Sequence, residues 1–205
     1  MGSRANRIPP LVRLAVTADF SLQPDPHEDV KSDLIRTYRI AVMARSAEES
    51  SDTECDDIEE IQVGTIHIQH LRFDVVINLG YDPQLIADDV SADALTIYES
   101  LQAELGDMSD GMHQDCLLVS RFSFEHPYRG TSCELNALRT AIIGLSSGVS
   151  RAFLPMGVVI PTIARAAPKE RNATTLYFDK IGFKPLKLGS DILWLDMEMA
   201  SLWNE

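Results

Sequence analysis

The stretch EHPYRGTSCELNAL, residues 125–138, sets an arginine and a glycine directly before a helical pattern. A helix N-terminus presents free N–H groups and the positive end of the macrodipole, so such a turn can hold an anion. Glycine-rich versions hold phosphates because the backbone can approach closely. Here Gly130 is the single glycine, and Ser132 and Glu134 stand where further small residues would help. Thr131 and Glu134 also fit a capping box, in which the Thr hydroxyl and the Glu carboxylate themselves satisfy the first N–H groups. An anion-binding turn and a capped helix start are both open. Elsewhere, His67 and His70 have no carboxylate or thiol at ligand spacing, so they read as ordinary strand histidines. Cys133 has no histidine or acid arranged around it in sequence and does not read as a nucleophile.

The elements around this turn follow from periodicity. Val12–Leu22 and Leu34–Ala44 read as extended segments separated by the break PDPHED. Residues 48–60 carry eight acids in thirteen and read as a solvated loop, because like charges repel and little of the segment can be buried. Ile61–Phe73 alternates as a strand. Asp82-Pro83 and Ser91 each open a helix, the second presenting Leu95, Tyr98, Leu101 and Leu105 before Gly106 stops it. Cys116–Phe124 is apolar on both faces at first and then alternates, as expected near the middle of a sheet. His126-Pro127 ends that strand.

From Thr131, the positions Leu135, Leu138, Ile142 and Leu145 predict a helix running to about Gly148. Val158–Thr162 is a strand candidate after the ambiguous stretch Ser150–Gly157. A helix opening at Pro168 ends at Gly182, which supplies a left-handed cap that lets Phe183 fold back. Ile192–Met199 closes the chain as a strand. The C-terminal half therefore alternates strand and helix, an α/β arrangement.

Composition bounds the function. The chain has 205 residues, 45% hydrophobic and 24% charged, which suits one globular domain with residues 1–10 as a flexible end. No apolar run reaches the length of a membrane span, and the N-terminus lacks an apolar signal segment. Asn6 stands where a myristoylation signal wants Ser or Thr. Cys55, Cys116 and Cys133 are odd in number and lack metal spacing, which suits reduced thiols in a cytoplasm and no metal site. The net charge of −13 disfavours nucleic acid, whose phosphates need clustered Lys and Arg. It serves solubility and can also gather cationic substrates such as amines.

Residues 116–199 resemble the GNAT superfamily of acyl-CoA-dependent N-acyltransferases. The resemblance is carried by LLVSRFSFEHPYRG, the helix and strand after it, LYFDKIGFKPL and a terminal strand. It implies a mixed, mostly antiparallel central sheet flanked by helices. The family's fourth strand runs into a turn of the form Arg-x-x-Gly-x-Gly/Ala that holds the pyrophosphate of coenzyme A. By resemblance, Arg129, Gly130, Thr131, Ser132, Cys133 and Glu134 would form that turn. Main-chain groups of Phe122, Ser123 and Phe124 would pair with the pantetheine arm. Tyr177, ahead of Gly182-Phe183, would be the acid that protonates the departing thiolate.

The implied reaction is direct transfer of an acetyl or other short acyl group from acyl-CoA to an amine, carried by a small molecule or a protein. Glu125 is the base candidate, with His126 and Asp115 as other acids or bases on the same strand and a water chain as a further route. Three departures stand out: Ser132 and Glu134 in the turn, an insertion in the 47 residues between Arg129 and Tyr177, and early helices that follow three strands where the family places them after the first. Two alternatives accompany this reading. One is a non-catalytic binding or regulatory protein of the same fold. The other is an acyltransferase fed by a carrier-protein thioester, suggested by Ser120-Arg121-Phe122 and opposed by the acidic surface. A homodimer is left open.

Overall fold

The computed structural model describes residues 11–19, 34–45, 60–105, 115–160, 167–187 and 190–198. Its strands are β1 (Leu11–Asp19), β2 (Ile35–Arg45), β3 (Glu60–Leu71), β4 (Cys116–Phe124), β5 (Arg151–Pro155), β6 (Lys184–Pro185) and β7 (Ile192–Asp196). They form one seven-stranded sheet in the order β1-β2-β3-β4-β5-β7-β6. Every neighbouring pair is antiparallel except β4 and β5, which run parallel. Helices flank the sheet, so the fold is the mixed, mostly antiparallel α/β arrangement expected from the sequence. The expected flexible end and most of the acidic loop, residues 46–59, lie outside the described residues, as do the break after β1 and the loop at 106–114.

Two apolar clusters sandwich the sheet. On one face, helices α1 (Phe73–Asn78), α2 (Pro83–Val90) and α3 (Ala92–Leu105) pack Phe73, Ile97, Tyr98 and Leu101 against Leu71, Cys116, Leu118 and Phe153. The starts of α2 and α3 follow from their caps. Asp82 accepts from the Gln84 amide at 2.9 Å, and the Ser91 hydroxyl oxygen accepts from Ala94 N–H at 3.1 Å. The buried stripe of α3 is Ala94, Ile97, Tyr98 and Leu101, so Leu95 is only half-buried. On the other face, α4 (Ser132–Gly144) and α6 (Pro168–Asp179) cover Ile66, Ile68, Leu117, Val119, Phe122 and Phe124 with Leu135, Leu138, Ile142 and Phe178. β4 occupies the middle of the sheet and is buried by both clusters, which accounts for its unbroken apolar opening.

The strand expected at Val158–Thr162 is corrected. The strand is Arg151–Pro155, inside the stretch that read as ambiguous, and Met156–Val159 form the short helix α5. β5 lies between β4 and β7 and is buried from Ala152 on, so tertiary pairing decides its state. Pro155 caps its end without needing an N–H. Two smaller differences accompany it. Helix α4 ends at Gly144 with Leu145 as its cap, and Phe73 starts α1 where the sequence suggested a strand end.

Gly182 behaves as expected: its φ is +92°, and the Phe183 amide donates back to the Phe178 carbonyl at 3.2 Å. A Cβ there would lie 2.9 Å from Leu195 Cδ1. Gly182→Ala is therefore expected to lower stability by about 1–2 kcal/mol, read from urea denaturation.

Candidate functional site

The site begins where β4 loses a neighbour. β5 pairs only with Cys116–Leu118, so among the described residues Val119–Phe124 has a strand partner on the β3 side alone. The Glu125 amide donates to the Val63 carbonyl at 2.9 Å, which fixes the alternation. Ser123 main-chain groups face β3, and those of Phe122 and Phe124 face the edge away from it. The rings of Phe122 and Phe124 are buried on the α4/α6 face, 5.1 Å apart, with Phe178 5.8 Å from Phe122. The edge is thus held rigidly by its own side chains.

Pro127 converts the end of β4 into a single 3₁₀ turn, His126–Tyr128, and Gly130 follows with φ +70°. The Arg129 Nε donates to the Phe124 carbonyl at 3.1 Å, folding the guanidinium back along the strand end. Thr131 is the N-cap residue of α4, but its hydroxyl donates to the Tyr128 carbonyl at 2.6 Å and caps no helix amide. The expected capping box is therefore corrected. Glu134 alone reaches back, and its Oε2 accepts from the Gly130 N–H, one residue earlier than a box would place it.

Glu134 is 5% exposed, and the same Oε2 lies 2.8 Å from the Tyr177 hydroxyl. That hydroxyl also lies 2.8 Å from the Thr131 carbonyl. A phenol has one proton, so it can donate to only one of these two oxygens. Both contacts are satisfied together when Glu134 is protonated: its O–H donates to Tyr177, and Tyr177 donates to Thr131. Electrostatics agree. Burial pushes the Glu134 carboxyl above the ordinary range, against the opposing pull of the Tyr177 and Gly130 hydrogen bonds and of Arg129. Tyr177 is itself raised, by burial first and then by Glu134. The mouth of α4 thus holds a hydrogen-bonded carboxyl–phenol pair.

Ser132 is exposed, and the amides of Ser132 and Cys133 have no acceptor among the described residues, as in any first helical turn. Cys133 is buried, and burial followed by Glu134 raises its thiol, which leaves it a poor nucleophile. Glu125 and His126 are exposed at the end of β4. Glu125 joins Gln62, Thr65 and Ser123 in lining an open cavity of about 260 Å³. Gly64 belongs to the same wall; a Cβ there would meet the Phe124 ring at 2.6 Å.

Asp115 lies at the far end of β4, roughly 30 Å away by strand rise. One of its oxygens accepts from the Asp74 amide at 3.0 Å and the other contacts His70 Nε2 at 3.1 Å. It anchors the start of α1 to β3 and stands apart from the turn. Sequence reasoning missed both this pair and the Tyr177–Glu134 pair. Their partners are 45 and 43 residues apart, beyond the reach of any local pattern.

No family model matches the chain, no curated protein matches it and no solved structure matches it. Among the described residues, no group of three or more His, Cys, Asp or Glu is placed to hold a metal ion. No described helix is long and apolar enough to cross a membrane.

Proposed function

We propose that the protein is an N-acyltransferase of the GNAT type, moving a short acyl group from acyl-CoA to an amine. One observation carries the reading: the Tyr177 hydroxyl sits 2.8 Å from the Thr131 carbonyl at the mouth of α4. Two segments that resemble the family separately thereby meet at one point. Acyl-CoA would enter as substrate, supplying the activated acyl group as a thioester. The edge of β4 at Phe122 and Phe124 offers main-chain groups to an extended pantetheine arm. Arg129 and the first-turn amides of Ser132 and Cys133 are available to its phosphates, whereas the Gly130 N–H is taken by Glu134. A neutral Glu134 removes the like charge that would otherwise repel an anion there.

Glu125, on the rim of the cavity, takes the proton of the attacking amine. Tyr177 gives its proton to the departing sulfur, and Glu134 replaces it through the contact at 2.8 Å. The relay balances: one proton leaves the amine, one reaches the sulfur, and Glu134 recovers its own from solvent between turnovers. Acetyl-CoA at millimolar concentration should raise the melting temperature by linkage, and Arg129→Ala should shrink that rise several-fold. A thermal melt with and without acetyl-CoA reads both.

A second reading has its own support. Because Glu134 already occupies the Gly130 N–H, the turn can stand as a self-filled helix start in a non-catalytic protein of the same fold. Absence of any acetyl-CoA shift in the melt would select it.

A further inference from the structure

One face of the sheet carries a line of positive charge that acyl transfer at the α4 turn does not use. Strand register sets Thr17 opposite Arg39, Arg39 opposite His67, and His67 opposite Arg121, so four strands contribute one cross-strand row. Parity places the row away from α4 and α6, since the neighbouring Ile66, Ile68, Val119 and Phe122 fill the cluster on that other side. The row also lies beyond the cluster made by α1–α3, which reaches β3 and β4 at Leu71, Cys116 and Leu118. Arg39 and Arg121 are exposed, and the His67 ring is half-buried between them.

Arg39 and Arg121 face the His67 ring from either side, one on each neighbouring strand. The chain has 31 acidic residues against 18 Lys and Arg, yet among the described residues no carboxylate pairs with Arg121. The ring registers the resulting potential. Its pKa lies below the usual histidine value, through burial first and then through Arg121 and Arg39. On its own strand its face neighbours, Thr65 and Gln69, are uncharged.

Geometry says what the row could hold. The two arginines stand two strand spacings apart, about 10 Å between backbones, so both planar forks can converge above the ring on one group. The next rung toward Glu125 pairs Thr65 with Ser123, two hydroxyl residues that line the cavity of about 260 Å³. That volume fits a small molecule. We propose that Arg39, His67 and Arg121 form a binding site for the oxyanion of a small molecule, a carboxylate or a phosphate, whose remainder lies over Thr65 and Ser123. The site shares its cavity with Glu125 and would persist if the α4 turn bound nothing.

The test follows the His67 ring by NMR across a pH titration of the intact protein, with malonate or inorganic phosphate added against sodium chloride at equal ionic strength. A bound anion stabilises the charged ring, so either probe should raise the His67 pKa beyond the chloride control. The probe giving the larger shift identifies carboxylate or phosphate as the preferred group. Arg121→Gln should weaken the apparent affinity about tenfold, and Arg121→Lys should restore only part of it, because a lysine keeps the charge and loses the fork. Arg121 is exposed, so neither variant endangers the fold. Malonate and phosphate acting no differently from chloride would overturn the site. So would an effect that survives Arg121→Gln unchanged.

Discussion

Tyr177→Phe should lower acyl-transfer turnover on the order of 10²-fold while leaving acetyl-CoA affinity within a small factor of wild type. The ring itself is well held without its hydroxyl. It meets Phe178 edge-on at 5.0 Å, and Lys180 Nζ lies 5.5 Å from its centroid. Phenylalanine therefore keeps the packing and removes one oxygen. The loss strands the Thr131 carbonyl and a buried Glu134 without their shared partner, so stability should also fall by about 1 kcal/mol. Thiol release from acetyl-CoA, followed over a panel of amines, separates the two consequences. A structural role alone predicts the stability loss with unchanged turnover. The relay predicts a reduced kcat with an unchanged KM for acetyl-CoA.

Much of the scaffold was legible because local chemistry and tertiary context agree there. Asp82-Pro83, Ser91, Gly182 and the double-faced opening of β4 carry their state in their own residue types. β5 was not legible, because Arg151–Pro155 has no strong period and becomes a strand through its neighbours β4 and β7. The candidate site divides along the same line. Thr131 and Glu134 signal a helix start, yet only the structure shows that the hydroxyl turns to Tyr128 and the carboxyl to Tyr177. The cross-strand row of Arg39, His67 and Arg121 was equally hidden. Its members lie on three strands, and their alignment depends on register and on a bulge in β4 opposite His67/Ile68.

Glu134 is where stability and chemistry are expected to oppose each other most sharply. Glu134→Gly removes the hydrogen bonds to Gly130 and Tyr177 and places glycine in the first turn of α4, so the fold should weaken by about 2–3 kcal/mol. The same change frees the Gly130 N–H and clears the mouth of the helix, so acetyl-CoA should bind more tightly through the added donor and the closer backbone approach. Glu134→Gln isolates the proton. It cannot ionise, and its amide nitrogen can donate to Tyr177 as the protonated acid does, but that nitrogen cannot also accept from the Gly130 N–H as Oε2 does.

The sign follows from the raised carboxyl: the folded state holds this proton more firmly than the unfolded chain does. Its contribution is therefore fully present below the ordinary carboxylate range and is lost as pH rises through the raised folded value. Near pH 4 wild type should be the more stable by about one hydrogen bond, and that advantage should shrink as pH rises toward 8. Urea denaturation at several pH values reads this difference. A constant gap across that range would mean that Glu134 is ionised in the fold. The relay through Tyr177 would then lose its source of protons, and Glu134 would stand at the mouth of α4 as a fixed negative charge against any phosphate.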